Sequence, residues 1–177
     1  MLRKWTMPEL KRDEVSVFKE KEKNSFIIVL DDVRSALNVG SAFRTADAFA
    51  AHELILCGIT ATPPHKEILK TALGATNSVR WEYEKDIIEK LTHYKNMQYK
   101  IYAVEQVKGS ISLNNFIPET NTFSVFIFGN EVNGVSDKVL KFCHNCLEIP
   151  QFGTKHSLNI AVTVGIIAWD YIYKTKY

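Results

Sequence analysis

The sequence predicts an α/β fold in which a mostly parallel sheet is flanked by helices. Short apolar runs recur along the chain: residues 26–30 (FIIVL), 53–57 (ELILC) and 123–128 (FSVFIF). The first suits a strand buried on both faces, as in a parallel sheet, and the last is the strongest strand pattern in the chain. Helical patterns separate the strands, and that alternation is the mark of parallel crossover units. Polar stretches rich in Gly, Asn and Ser follow the strands, where open α/β sheets bind their ligands.

In chain order, residues 6–22 predict a helix. Thr6 caps it, Glu9 completes a capping box, Pro8 fits the first turn, and Leu10, Val15 and Phe18 form a partial apolar face. Residues 31–38 follow the first strand as a polar loop. Residues 39–50 predict a helix that Asn38 can cap, with Val39, Ala42, Phe43, Ala46 and Phe49 on one side and Arg44 beside them. After the second strand, Pro63 and Pro64 open a helical segment running to about Leu73, with Gly74 as its stop. A short strand at 80–83, a helix at 86–94, a strand at 99–105 and a loop at 109–115 come next. The polar turn 130–134 (NEVNG) follows the strong strand. Ser136 then caps a short helix to Phe142, and 146–149 is a last strand.

Residues 149–161 (IPQFGTKHSLNIA) pass from strand end to helix start. Pro150 resists strand continuation, Gly153 admits unusual backbone angles, and Ser157 is a good N-cap for a helix running to about Tyr173. That helix carries Ile160, Val162, Val164, Ile166, Ile167, Trp169 and Ile172 almost all round, where a surface helix shows one stripe. It needs cover on more than one side, and a second copy of the chain is a natural source, with Gly165 allowing close approach. Homodimerisation through this helix is therefore expected.

Composition sets bounds. A chain of 177 residues with 46% hydrophobic and 24% charged residues is an ordinary globular domain. The division expected is an N-terminal helical extension, 1–25, ahead of a domain from 26 to 177. Twenty-two basic and 20 acidic residues give a net charge of +2, too balanced to prove a nucleic-acid partner but permitting a local basic face. Three cysteines form no disulfide framework and point to a reducing cytoplasm. Cys143 and Cys146 have C-x-x-C spacing without a second pair, so thiols rather than a metal site are expected. No signal peptide or membrane span is expected: the N-terminus has no apolar core, and Thr163, Gly165 and Asp170 interrupt the longest apolar run.

Three polar clusters lie behind strands: Asn38, Gly40 and Arg44; Gly129, Glu131 and Gly134; Gly153, Ser157 and Asn159. A parallel sheet can bring all three to one site. The runs N-x-G-x-x-x-R-T-A (38–46), F-G-N-E-x-x-G (128–134) and I-P-x-x-G-x-x-x-S-L-N-x-A (149–161) resemble, in order, the three motifs of the SpoU/TrmH-type RNA ribose methyltransferases of the SPOUT superfamily. The resemblance runs from about residue 26 to the C-terminus.

The resemblance implies a deep trefoil knot in the C-terminal half. It also implies S-adenosylmethionine as methyl donor, an obligate dimer, and methylation of a ribose 2′-hydroxyl in tRNA or rRNA. By motif match, Gly129, Ile149 and Leu158 would line the donor pocket through main-chain groups, with Val104 and Glu105 at its border. Arg44 would hold a phosphate and stabilise the oxyanion. Asn38 and Asn159 would position the sugar or the arginine, Ser157 would bond substrate or cap its helix, and Glu131 would hold Arg44 or a partner-chain group. Each also has a plain structural reading: Arg44 as a surface ion-pair residue, Asn38 and Ser157 as caps, Asn159 as a polar helix start, Glu131 as a solvated turn residue. An RNA-binding dimer without catalysis, and a base-modifying SPOUT enzyme, stand as alternatives. With no separate RNA-binding domain expected before the core, RNA would meet the dimer surface itself, with Arg3, Lys4, Lys11 and Arg12 or the tail Lys174 and Lys176 available.

Overall fold

The computed structural model describes residues 2–6 and 8–177. Seven strands form one sheet in the order β3-β2-β1-β6-β4-β7-β5. They are β1 (Asn24–Asp31), β2 (Ala51–Cys57), β3 (Trp81–Glu84), β4 (Lys100–Val104), β5 (Ile111–Ser112), β6 (Ser124–Phe128) and β7 (Asn145–Glu148). Every pairing is parallel. Among the described residues, six α-helices accompany them: α1 (Val15–Glu20), α2 (Ala36–Ala48), α3 (Lys66–Ala72), α4 (Ile87–Asn96), α5 (Asp137–Leu140) and α6 (Ile160–Lys176).

The all-apolar strands explain the layering. Alternate residues of a strand point to opposite faces, so a run such as FIIVL feeds two cores. Phe26, Ile28 and Leu30 of β1 join Phe126 and Phe128 of β6 in one core, closed by Val39 and Phe43 of α2, Ile68 of α3 and Val164 and Ile167 of α6. Ile27 and Val29 face the other way, with Val125, Ile127 and Ile101, under Leu91 and Tyr94 of α4 and Val139 of α5. The result is a three-layer α/β/α sandwich, as the sequence predicts. Gly40 is where α3 crosses α2: a Cβ there would run into the Thr71 hydroxyl and the Ile68 carbonyl. The Thr71 hydroxyl donates to the Leu37 carbonyl at 2.9 Å, fixing the crossing.

Several elements differ from expectation, each for a local reason. The helix expected over 6–22 is a single turn of 3₁₀ helix, Pro8–Leu10, and the separate α1. The capping contact exists, since the Thr6 N–H and hydroxyl both donate to Glu9 Oε2 at 2.8 Å. The helix nevertheless breaks at Lys11, whose φ is +46°, and neither piece buries a side chain to sustain it. Met7 of the expected helix lies outside the described residues. Ser35, not Asn38, caps α2, its Oγ accepting from the Asn38 N–H at 3.3 Å, so the helix starts three residues earlier. Asn159, not Ser157, caps α6, its Oδ1 accepting from the Ala161 N–H at 2.8 Å. The loop expected at 109–115 contains β5, too short to show a period. Ser136 caps α5 as expected.

The burial of α6 is one-sided. Val164, Ile167, Ala168 and Tyr171 are buried, while Val162, Trp169 and Tyr173 are each more than half exposed. Among the described residues, no helix is long and apolar enough to cross a membrane.

Candidate active site

A cleft of about 460 Å³ opens at the C-terminal ends of β4, β6 and β7. Its walls come from three loops. Val104, Glu105 and Gln106 leave β4, and Gly129 to Val132 leave β6. Ile149, Gln151, Ser157, Leu158 and Asn159 belong to the segment between β7 and α6. Adjacent strands in a parallel sheet end on the same side, so residues remote in sequence meet here.

The turn after β6 is built tightly. A Cβ on Gly129 would collide with the backbone of Gly134 and Val135, so only glycine lets the turn fold back on the strand end. Asn130 stitches the turn: its Oδ1 accepts from the N–H groups of Val132 and Asn133 at 2.9 and 3.1 Å, and its Nδ2 donates to the Asp32 carbonyl at 2.8 Å. Glu105 clamps the same turn from β4, Oε2 accepting from the Val135 N–H at 3.0 Å and Oε1 from its neighbour Gln106 at 2.9 Å.

Glu131 reaches the start of α2. Its carboxylate accepts from the N–H groups of Arg34 and Ser35, at 2.9 and 3.0 Å, and from Asn38 Nδ2 at 3.3 Å. Burial pushes its pKa up, but these donors outweigh it and hold the carboxyl below its ordinary value. Glu131 is therefore occupied with the α2 entry and not with Arg44 of its own chain, one of the two partners the sequence suggested. Asn38 in turn accepts from Asn159 Nδ2 at 3.2 Å. Glu131, Asn38 and Asn159 thus form one hydrogen-bonded chain through all three motifs, although Asn38 itself is not part of the cleft wall.

Two expected residues fare differently. Ser157 is exposed at the mouth of the cleft, and its hydroxyl caps no helix. Arg44 is exposed on α2, makes no ion pair among the described residues, and is not part of the cleft wall. Reading the motifs alone also missed cleft-lining side chains. Gln106 donates to the His156 carbonyl at 2.7 Å, and Glu148 accepts from the Ser110 hydroxyl at 2.7 Å. Their signal was position alone, at the ends of β4 and β7; Asn130 lay inside the second motif and could have been named from it.

Charge inside the cleft has one sign. Glu105, Glu131 and Glu148 line it, and no lysine or arginine among the described residues does. Such a wall favours a ligand carrying positive charge. No cluster of His, Cys, Asp or Glu able to hold a metal ion occurs among the described residues.

Residues 25–169 match the SpoU rRNA methylase family. The chain belongs to this family. The chain is 27% identical over 157 residues to the tRNA (guanosine(18)-2′-O)-methyltransferase of Aquifex aeolicus, covering 85% of its own length and 70% of that enzyme. It is 25% identical over 141 residues to the 23S rRNA (guanosine-2′-O-)-methyltransferase RlmB of Neisseria meningitidis, covering 80% of itself and 55% of that protein. Its fold is similar to the AdoMet-bound rRNA methyltransferase from Sinorhizobium meliloti, with a TM-score of 0.78, 25% identity, and coverage of 86% and 57%. The chain therefore spans between about half and 70% of the length of these relatives.

Proposed function

We propose that this protein is an S-adenosylmethionine-dependent RNA methyltransferase that modifies a ribose 2′-hydroxyl of tRNA or rRNA. The observation that carries the reading is the convergence of all three motifs: Glu131, Asn38 and Asn159 in one hydrogen-bonded chain beside a cleft walled by Gly129, Ile149 and Leu158. The names of the relatives, all RNA 2′-O-methyltransferases or methyltransferases, point the same way.

The cleft fits the donor. Its volume lies in the range of small-molecule sites, and three glutamates suit a ligand bearing a sulfonium and an ammonium group. S-adenosylmethionine, when bound, supplies an electrophilic methyl group. Gly129, Ile149 and Leu158 would hold it through main-chain groups, with Val104 and Glu105 at the border. Glu105 keeps the 130–135 turn in place, which fixes the cleft wall.

The remaining work is on the RNA. A ribose hydroxyl is a weak nucleophile, so the site must orient it and stabilise its developing negative charge. Arg44 is the candidate. Its guanidinium stays protonated and cannot act as a base, but its fork can grip a phosphate and face the oxyanion. Asn38 and Asn159 would position the sugar. Ser157, with its hydroxyl free at the mouth, would bond the incoming nucleotide. Glu131 sets Asn38 and, through it, Asn159.

Arg44 lies apart from the cleft of its own chain, and the exposed Val162, Trp169 and Tyr173 of α6 offer an apolar surface. Both support a homodimer through α6, in which one subunit's Arg44 serves a site shared with its partner. The same reading takes the trefoil knot for the C-terminal half, the residues before β1 as an extension of the catalytic domain, and the cytoplasm as the working compartment.

The test is calorimetric titration with S-adenosylhomocysteine, followed by transfer assays in which nuclease digestion and mass analysis locate the methyl. Binding near one molecule per chain and a methyl on the sugar are expected. A methyl on the base would make it a base-modifying enzyme, and donor binding without transfer to any RNA would leave an RNA-binding dimer. No binding at millimolar ligand would overturn the reading.

A further inference from the structure

Phe152 is 97% exposed, in the loop that separates β7 from α6. An aromatic ring in water on a polar loop is free to stack on a partner. Its position narrows what that partner is. Gln151 on one side of it and Ser157 on the other both line the cleft, so the loop that carries the ring borders the cleft. The loop is also tied down: Gln106 at the end of β4 donates to the His156 carbonyl at 2.7 Å.

The charges around the ring differ from those below it. The cleft wall carries glutamates and no cation, and would repel a polyanion. The loop above carries Lys155, which is exposed. A phosphate chain arriving at this site is therefore received at the loop and kept out of the cleft.

We propose that Phe152 and Lys155 form the platform on which the substrate nucleotide is received, the ring stacking on a base and the ammonium holding a neighbouring phosphate. This rests on the RNA methyltransferase reading. A nucleotide whose ribose hydroxyl must enter a cleft leaves its own stack, and a free aromatic ring replaces the lost stacking partner. A second copy of this chain fits the loop less well. A two-fold axis through it would set Lys155 against its own copy, and the apolar surface suited to a second copy lies instead on α6.

The experiment is equilibrium filter binding of the full-length protein to unfractionated tRNA, with S-adenosylhomocysteine titrations and light scattering on the same preparations. Phe152→Ala is expected to weaken tRNA binding about tenfold, Phe152→Leu to stay weak and Phe152→Trp to restore it, because stacking and not bulk is required. Lys155→Gln is expected to weaken binding and lower the slope against salt by about one. Donor affinity should stay at the wild-type value in all four. Wild-type tRNA affinity in Phe152→Ala, equal affinity for Leu and Phe at this position, or no tRNA binding by the wild type would each overturn the platform. So would dissociation of the Phe152→Ala protein to monomers, which would put the ring in a subunit contact. Failure of the wild type to bind S-adenosylhomocysteine is a separate result: it removes the donor reading, while the tRNA comparison still decides the platform.

Discussion

The Asn159 amide donates to Asn38 Oδ1 at 3.2 Å, linking the cap of α6 to the first turn of α2 across 121 positions of sequence. The orientation of both amides follows from their neighbours. Asn159 Oδ1 is taken by the Ala161 N–H, so its Nδ2 must donate. Glu131 is only an acceptor, so Asn38 turns Nδ2 toward it, leaving Oδ1 for Asn159. Asn38→Asp would put a carboxylate against Glu131. We expect it to cut methyl transfer by more than about tenfold and to lower the melting temperature by roughly 2–4 °C for each kcal/mol lost. Transfer assays and thermal melts check this, and an unchanged melt would show that the three-residue chain is not maintained in solution.

Gly129→Ala tests the cleft wall. The added methyl meets the backbone of Gly134 and Val135, which cannot step aside as a flexible side chain would. The 130–135 turn must lift, at a cost of about 1–3 kcal/mol. The expected outcome is a folded but less stable protein with much weaker S-adenosylhomocysteine binding, read by calorimetry.

Arg44 separates chemistry from donor binding. It is exposed and outside the cleft wall, so its removal should not disturb the donor. Arg44→Ala and Arg44→Lys are both expected to lose roughly 100-fold or more in turnover with donor affinity intact. Near-normal turnover in Arg44→Lys would remove the forked contact from the mechanism.

Asp31, buried at the end of β1, gives a pH signature. Burial, with the nearby charges of Asp32 and Asp86, pushes its pKa up to about 6. The folded state then holds a proton that the unfolded chain has released, so this residue's contribution to stability falls as pH rises from about 4 to about 6. Asp31→Asn should therefore stabilise the protein by about 1 kcal/mol above pH 6, solvent at the strand end reducing the full linkage value. The gain should shrink to nothing near pH 4. Melts of the two proteins across that range check the sign, and a gain independent of pH would contradict it.

The apolar runs of β1, β2 and β6 were legible because a strand buried on both faces leaves few alternatives, and helix periodicity gave the elements between them. Caps were less legible. Ser35 and Asn38, like Ser157 and Asn159, offered neighbouring caps of similar chemistry, and local sequence does not separate them. Asn38 is bound to both Glu131 and Asn159, contacts that join segments far apart in sequence. β5, two residues long, had no pattern to read; it is ordered by pairing with β7.

The α/β class, the strand–helix alternation and the three motifs are all written in local sequence, because burial and local hydrogen bonding act over a few residues. That Glu131 serves the α2 entry, and that Arg44 is not part of the cleft wall of its own chain, follows from the folded chain alone. So does the tie from Gln106 to the loop carrying Phe152. Those facts depend on which strand ends become neighbours in the sheet, where β6 lies between β1 and β4, an order that local sequence does not carry.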